Sequence, residues 1–183
     1  VIDLIKGDSD VSKPLHHFRE EGIYLEAAHK LKMNMDEISE EVVKHCPEVS
    51  ILRKIKALKG TVGSNCEAIA KHKNPEDLLT FYEEEDRMKD ALDLIREPKL
   101  FYDDVIFEFY RKNHKRFPEE AETFLKRRIE EDLAYTGKKY YERIAESLDL
   151  MKRINPGRSQ RIADEIRANF KKRSSLIQII RGF

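Results

Sequence analysis

Apolar side chains recur three and four positions apart along most of this chain. Residues 138 to 154 set Tyr141, Ile144, Ala145, Leu148 and Met151 on one stripe, and residues 158 to 181 do the same with Ile162, Ile166, Phe170, Ile177 and Ile180. That spacing is the mark of an amphipathic helix, and each stripe needs a neighbour to cover it. Only Leu100 to Tyr110 and Ser175 to Ile180 offer runs that resemble strands. In the first, Phe101, Val105 and Phe109 keep helical spacing while Asp103 and Asp104 break any alternation, so a helix is predicted there too.

The breakers fall between the stripes. Asn74-Pro75-Glu76-Asp77 has the form of a capping residue, a proline in the first turn and carboxylates facing the positive end of the helix dipole. Cys46-Pro47-Glu48 and Phe117-Pro118-Glu119-Glu120 repeat the Pro-Glu part without a good cap. Pro98 and the Asn155-Pro156-Gly157 trio interrupt longer helical patterns, because an interior proline loses a backbone donor and clashes with the preceding turn. These marks divide the chain into roughly ten helices. The stretch Lys59-Gly-Thr-Val-Gly-Ser-Asn65 is the strongest loop signal and suggests a boundary, with N-terminal hairpins over residues 1–60 and a C-terminal helical repeat region over 61–183, or one continuous solenoid.

A short pattern recurs where one helical stretch is expected to give way to the next. It reads Gly22-Ile-Tyr24-Leu-Glu-Ala27, then Asp86-Arg-Met88-Lys-Asp-Ala91, with a looser echo in Lys139-Tyr-Tyr141-Glu-Arg-Ile144 just after Gly137. A turn-tolerant residue would let the chain reverse, and a small alanine would let the two helices of a hairpin approach closely. The expected fold is therefore all-α, a right-handed solenoid of stacked antiparallel helical hairpins.

This hairpin pattern resembles the tetratricopeptide and clathrin-type helical repeats over most of residues 12 to 154, although the tetratricopeptide Trp and Gly of the first helix are missing. A narrower likeness covers about the last 70 residues. The run Phe117-Pro118-Glu-Glu-Ala121, Tyr135-Thr-Gly137-Lys-Lys-Tyr-Tyr141, Leu148 to Met151 and Ile166-Arg-Ala-Asn-Phe-Lys171-Lys-Arg173-Ser-Ser-Leu176 resembles the helical region that follows the zinc-binding segment of SWIM zinc-finger proteins. The Cys-x-Cys and Cys-x-His of that segment have no counterpart here, so the resemblance implies a partner-binding or scaffolding part and transfers no metal ligand.

Composition narrows the function. The 183 residues carry 35 basic and 35 acidic side chains, which removes the simplest argument for a nucleic-acid or membrane partner. The balance is not local: Pro75 to Glu108 holds 12 acidic and 4 basic residues, Arg158 to Phe183 holds 7 basic and 2 acidic. Cys46 and Cys66 give neither a disulfide framework nor a paired metal motif. No run approaches the ~20 apolar residues of a membrane helix, and no basic-then-apolar leader opens the chain, so a soluble cytoplasmic protein is expected. The chain begins at Val1 without an initiator Met, which reads as a processed chain or a piece of something longer.

Chemistry has little purchase in the sequence. His16 and His17 point about 100° apart on a helix, and the pairings of His17 with Glu20 and Glu21, His29 with Glu26, and His45 with Glu41 and Glu48 are the ordinary neighbours of a carboxylate-rich chain. The run Glu83-Glu-Glu-Asp86 lacks the alternating oxygen ligands and central glycine of a calcium loop. No phosphate loop, nucleophile elbow or metalloprotease helix is present, so no cofactor, no metal and no enzymatic role is expected. The one candidate binding feature is the basic end, Arg158, Arg161, Arg167, Lys171, Lys172 and Arg173, with Arg167 and Lys171 in an i,i+4 row. Such a patch could hold phosphates, dock on a protein partner or on the acidic middle of another copy, or simply be a solvated face. The expected role is a protein-interaction scaffold, with a nucleic-acid-associated module using the basic C-terminal helix as the alternative and self-association as a third option.

Overall fold

The computed structural model describes residues 18–183, with side chains from residue 21 onward. Among these residues the chain is all-α: eleven α-helices, a final 3-10 turn and no strand. It divides into two compact units between Phe101 and Tyr102. His16 and His17 lie outside the described residues.

The first unit contains α1 (Phe18–Lys30), α2 (Met35–His45), α3 (Val49–Lys59), α4 (Ser64–Lys73), α5 (Pro75–Glu84) and α6 (Met88–Ile95). Its caps explain its boundaries. Asn34 accepts from the Asp36 amide at 3.2 Å to open α2, and Asn74 accepts from the Asp77 amide at 3.3 Å to open α5, with Pro75 in the first turn. Gly60 closes α3 at φ +83°, a conformation that suits glycine, and its amide reaches the Lys56 carbonyl at 2.7 Å. The stretch around it, expected as a domain boundary, lies inside this unit and joins α3 to α4. Helix α1 packs on α2 and α3, α2 on α3 and α4, α3 and α4 both on α5, and α5 on α6. Leu25, Ala28, Val43, Leu52, Ile55 and Ala70 are fully buried between them.

Polar ties hold the later helices of this unit in register. Tyr82 donates to Glu67 at 2.9 Å, and Arg87 lies 4.4 Å over the Tyr82 ring while it bonds Glu67 and Asp90. At the surface, Lys54 depresses the pKa of Glu26, His45 and Lys44 that of Glu41, and Arg53 that of Glu84. A depressed carboxylate contributes stability above its unfolded pKa of 4.5, and the contribution is lost as pH falls through the folded value. Glu48 runs the other way, raised by burial and by Asp77 and Glu21. With three groups against one, thermal unfolding of this unit should move to lower temperature below pH 4.5, with a slope that salt flattens. Burial, then the Glu21 carboxylate, pushes the Cys46 thiol up to about 12. Alkylation of the native protein near neutral pH should therefore leave Cys46 unmodified until the chain is unfolded.

The second unit contains α7 (Asp103–Asn113), α8 (Pro118–Leu133), α9 (Lys138–Ile154), α10 (Pro156–Asn169) and α11 (Ser174–Ile179). Neither strand-like run is a strand: the first is helical from Asp103 onward, as periodicity favoured, with Leu100 to Tyr102 ahead of the helix, and the second lies in α11 and the start of the 3-10 turn. Helices α8 and α9 form a long antiparallel hairpin: Arg143 meets Asp132 at 3.2 Å near the turn, and Asn155 meets Glu122 at 3.2 Å at the far end. Gly137 opens α9 at φ +130°, where an L side chain is strained. Asn155 both closes α9, through its amide to the Met151 carbonyl at 2.7 Å, and opens α10, by accepting from the Arg158 amide at 3.1 Å. Tyr141, Ile144, Leu148 and Met151 of the expected stripe are buried, and Ala145 is half-buried.

Two expectations need correction. The helix expected over 158–181 is two helices, because the chain leaves helical geometry at Phe170 and turns before Ser174. The recurring junction pattern also fails as a junction in its first copy. Gly22 to Ala27 lies inside α1, where a Cβ on Gly22 would meet nothing within 4 Å. Only Asp86, at φ +54° between α5 and α6, and the start of α9 after Gly137 mark real junctions. Tyr and Ala at those offsets are simply what an amphipathic helix carries.

Candidate functional site

The second unit has an open groove of about 780 Å³ walled by α7 and α9. From α7 come Asp104, Phe107, Glu108, Arg111 and Lys112, which three- and four-residue steps place on one face. From α9 come Lys139, Glu142, Arg143 and Glu146 in its first half, then Asp149, Leu150 and Arg153. Arg128 of α8 is the contribution from between them. It also levels the two walls, donating to Asp104 at 3.1 Å near the start of α7 and to Ser147 at 3.2 Å on α9.

Arg128 is only 1% exposed. Its guanidinium lies 4.2 Å from the centre of the Phe107 ring, and its Nε has no acceptor among the described residues. Burial, then the charge of Arg143, pulls its pKa down. Asp132, also buried, has its pKa raised by burial against the opposing pull of Arg143 and Arg128. Ser147 passes the network on by donating to the Arg143 carbonyl at 2.8 Å.

Most charges along the groove already have a partner within the chain. Arg111 bonds Glu108 at 2.9 Å, Arg153 bonds Asp149 at 2.6 Å, and Lys138 approaches Glu142 at 3.6 Å. Lys139 and Glu146 are exposed and make no hydrogen bond or ion pair among the described residues. The groove therefore presents both signs of charge over a small apolar floor of Phe107 and Leu150. This arrangement suits recognition of a surface that itself carries both signs. Among the described residues no group of three or more His, Cys, Asp or Glu side chains assembles that could hold a metal ion.

The six basic residues singled out near the C terminus differ in exposure and in what they bond. Arg158 is half-buried beside Glu122 at 3.5 Å. Arg167 pairs with Asp164 at 2.7 Å and donates to the Ile180 carbonyl at 2.8 Å. Arg173 lies 4.6 Å over the Phe170 ring and donates to the carbonyls of Leu133 at 2.8 Å and Tyr135 at 3.0 Å, closing the end of α8. Arg161, Lys171 and Lys172 are exposed and make no hydrogen bond or ion pair among the described residues. The i,i+4 row of Arg167 and Lys171 is broken, since Lys171 sits in the turn after α10. Arg173→Ala should cost about 1–2 kcal/mol by orphaning two carbonyls, measurable as a lower urea midpoint.

No family model, no curated protein and no solved structure matches the chain.

Sequence reasoning missed this groove, although a signal was present. The buried face of α8 runs Ala121, Phe124, Leu125, Arg128, Ile129 and Asp132, so a cation and a carboxylate occupy positions on an apolar stripe. Buried charges at such positions require partners from neighbouring helices.

Proposed function

We propose that this chain is a non-enzymatic protein-interaction scaffold whose helical hairpins stack in right-handed solenoid order within each unit, and that a partner protein docks in the α7–α9 groove. The observation that carries this reading is the mixed sign of the groove lining. A polyanion laid there would meet Asp104, Glu108, Glu142, Glu146 and Asp149 as well as the cations, whereas a protein surface can match both. The packing of α2 on α3 and α4, and of α1 on α2 and α3, supports stacked hairpins. The likeness to tetratricopeptide-type repeats and to the helical part of SWIM zinc-finger proteins agrees with a scaffold. We place it in the cytoplasm: Cys46 and Cys66 are free thiols, as a reducing compartment maintains, and no helix among the described residues is long and apolar enough to cross a membrane.

Capture from native extract tests the reading with three baits: the unaltered chain, the double reversal Lys139→Glu with Glu146→Lys, and the double reversal Lys171→Glu with Lys172→Glu. A protein retained by the first and third baits but lost from the second is expected, with nuclease treatment having no effect. Retention that nuclease abolishes and that only the Lys171 and Lys172 reversals remove would instead establish the nucleic-acid reading.

A further inference from the structure

We propose that the occupant of the α7–α9 groove is a second copy of this chain, its α9 lying antiparallel to the first about a two-fold axis that passes between Glu142 and Arg143. The proposal rests on the groove being a protein-docking surface and names the partner.

The groove face in the first half of α9 carries Lys139, Glu142, Arg143 and Glu146, in the order cation, carboxylate, cation, carboxylate. That order is antisymmetric in charge about its midpoint. Laid antiparallel on itself, the helix sets Lys139 opposite Glu146 of the second copy and Glu142 opposite Arg143 of the second copy, and the two-fold axis repeats both pairings. A parallel copy in register would set like charge against like. Self-complementarity of this kind is what an isologous interface requires.

The outer pair has no competing partner. Lys139 and Glu146 are exposed, make no ion pair among the described residues, and stand two helical turns apart, about 10 Å along the axis. One opposing helix reaches both. The inner pair adds less, because Glu142 already approaches Lys138 and Arg143 already meets Asp132. On the opposite wall Asp104 also agrees in sign. Asp104 is level with Ser147 through Arg128, and the antiparallel register brings Lys138 of the second copy to that level, where the Asp104 carboxylate is 72% exposed. Exposed pairs contribute little individually, so the dimer is weak and sensitive to salt.

Sedimentation velocity of the full chain over a range of concentrations, at low and high salt, tests this. The unaltered chain is expected to dimerise as concentration rises, less so at high salt. Lys139→Glu alone, or Glu146→Lys alone, turns both outer pairs into like charges and should weaken the dimer at least about tenfold. An equimolar mixture of the two single variants should associate like the unaltered chain, since each outer pair is again of opposite sign, and so should the double reversal. Circular dichroism matching the unaltered chain excludes unfolding as the cause. A monomer at every concentration overturns the proposal, as does a mixture that stays as weak as the single variants. Neither result decides the docking surface itself: the double-reversal bait repels the chain's own copy as well as a different partner, so the capture experiment separates the two by the mass of the protein that the unaltered bait retains.

Discussion

Arg128→Ala is expected to destabilise the second unit by about 3–4 kcal/mol, whereas Arg128→Met should cost less than about 1 kcal/mol. Both variants remove the hydrogen bonds to Asp104 and Ser147 and one of the two cations beside buried Asp132, but alanine alone also empties the space over Phe107. Methionine keeps most of the volume and ends the burial of a cation whose Nε lacks an acceptor. The contrast separates packing from charge. Urea unfolding of the full chain followed by circular dichroism measures it, with amide exchange over residues 118–154 assigning the transition. Equal losses in the two variants would mean that the hydrogen bonds of Arg128 outweigh its packing.

Leu148→Ala should cost about 3–5 kcal/mol, and Glu142→Ala on the same helix less than about 0.5 kcal/mol. Leu148 is fully buried on α9, the helix that packs on α8, α10 and α11, while Glu142 is exposed. A cavity there cannot be relieved by one neighbour moving, because Ser159 of α10 donates to the Leu148 carbonyl at 2.9 Å and fixes the approach of that helix. The same unfolding measurement reads both variants.

What the chain reveals before folding depends on how local the cause is. Tyr141, Ile144, Leu148 and Met151 show their burial in their spacing, because helical periodicity is a property of a few consecutive turns. Asn74 and Pro75, and Asn155 and Pro156, show their helix starts for the same reason. The end of α10 at Phe170 was hidden. Ile162, Ile166, Phe170, Ile177 and Ile180 keep helical spacing across the turn, and no glycine or proline marks it. Arg173, which looked like a binding residue, is held by the carbonyls of Leu133 and Tyr135, about 40 positions away, a contact that no local rule supplies. The groove was hidden likewise, since α7 and α9 come together through Arg128 of α8 and through the approach of Arg143 to Asp103 at 3.8 Å, both between distant positions. Its local trace is Arg128 and Asp132 among apolar neighbours.

Amide hydrogen exchange tests the docking claim most directly, measured on the chain alone and on the chain carrying the protein it retains from native extract. Slower exchange is expected in residues 104–112 and 139–153, the two walls of the groove, with residues 161–181 unchanged. Protection confined to 161–181, with both walls exchanging as in the free chain, would contradict the account.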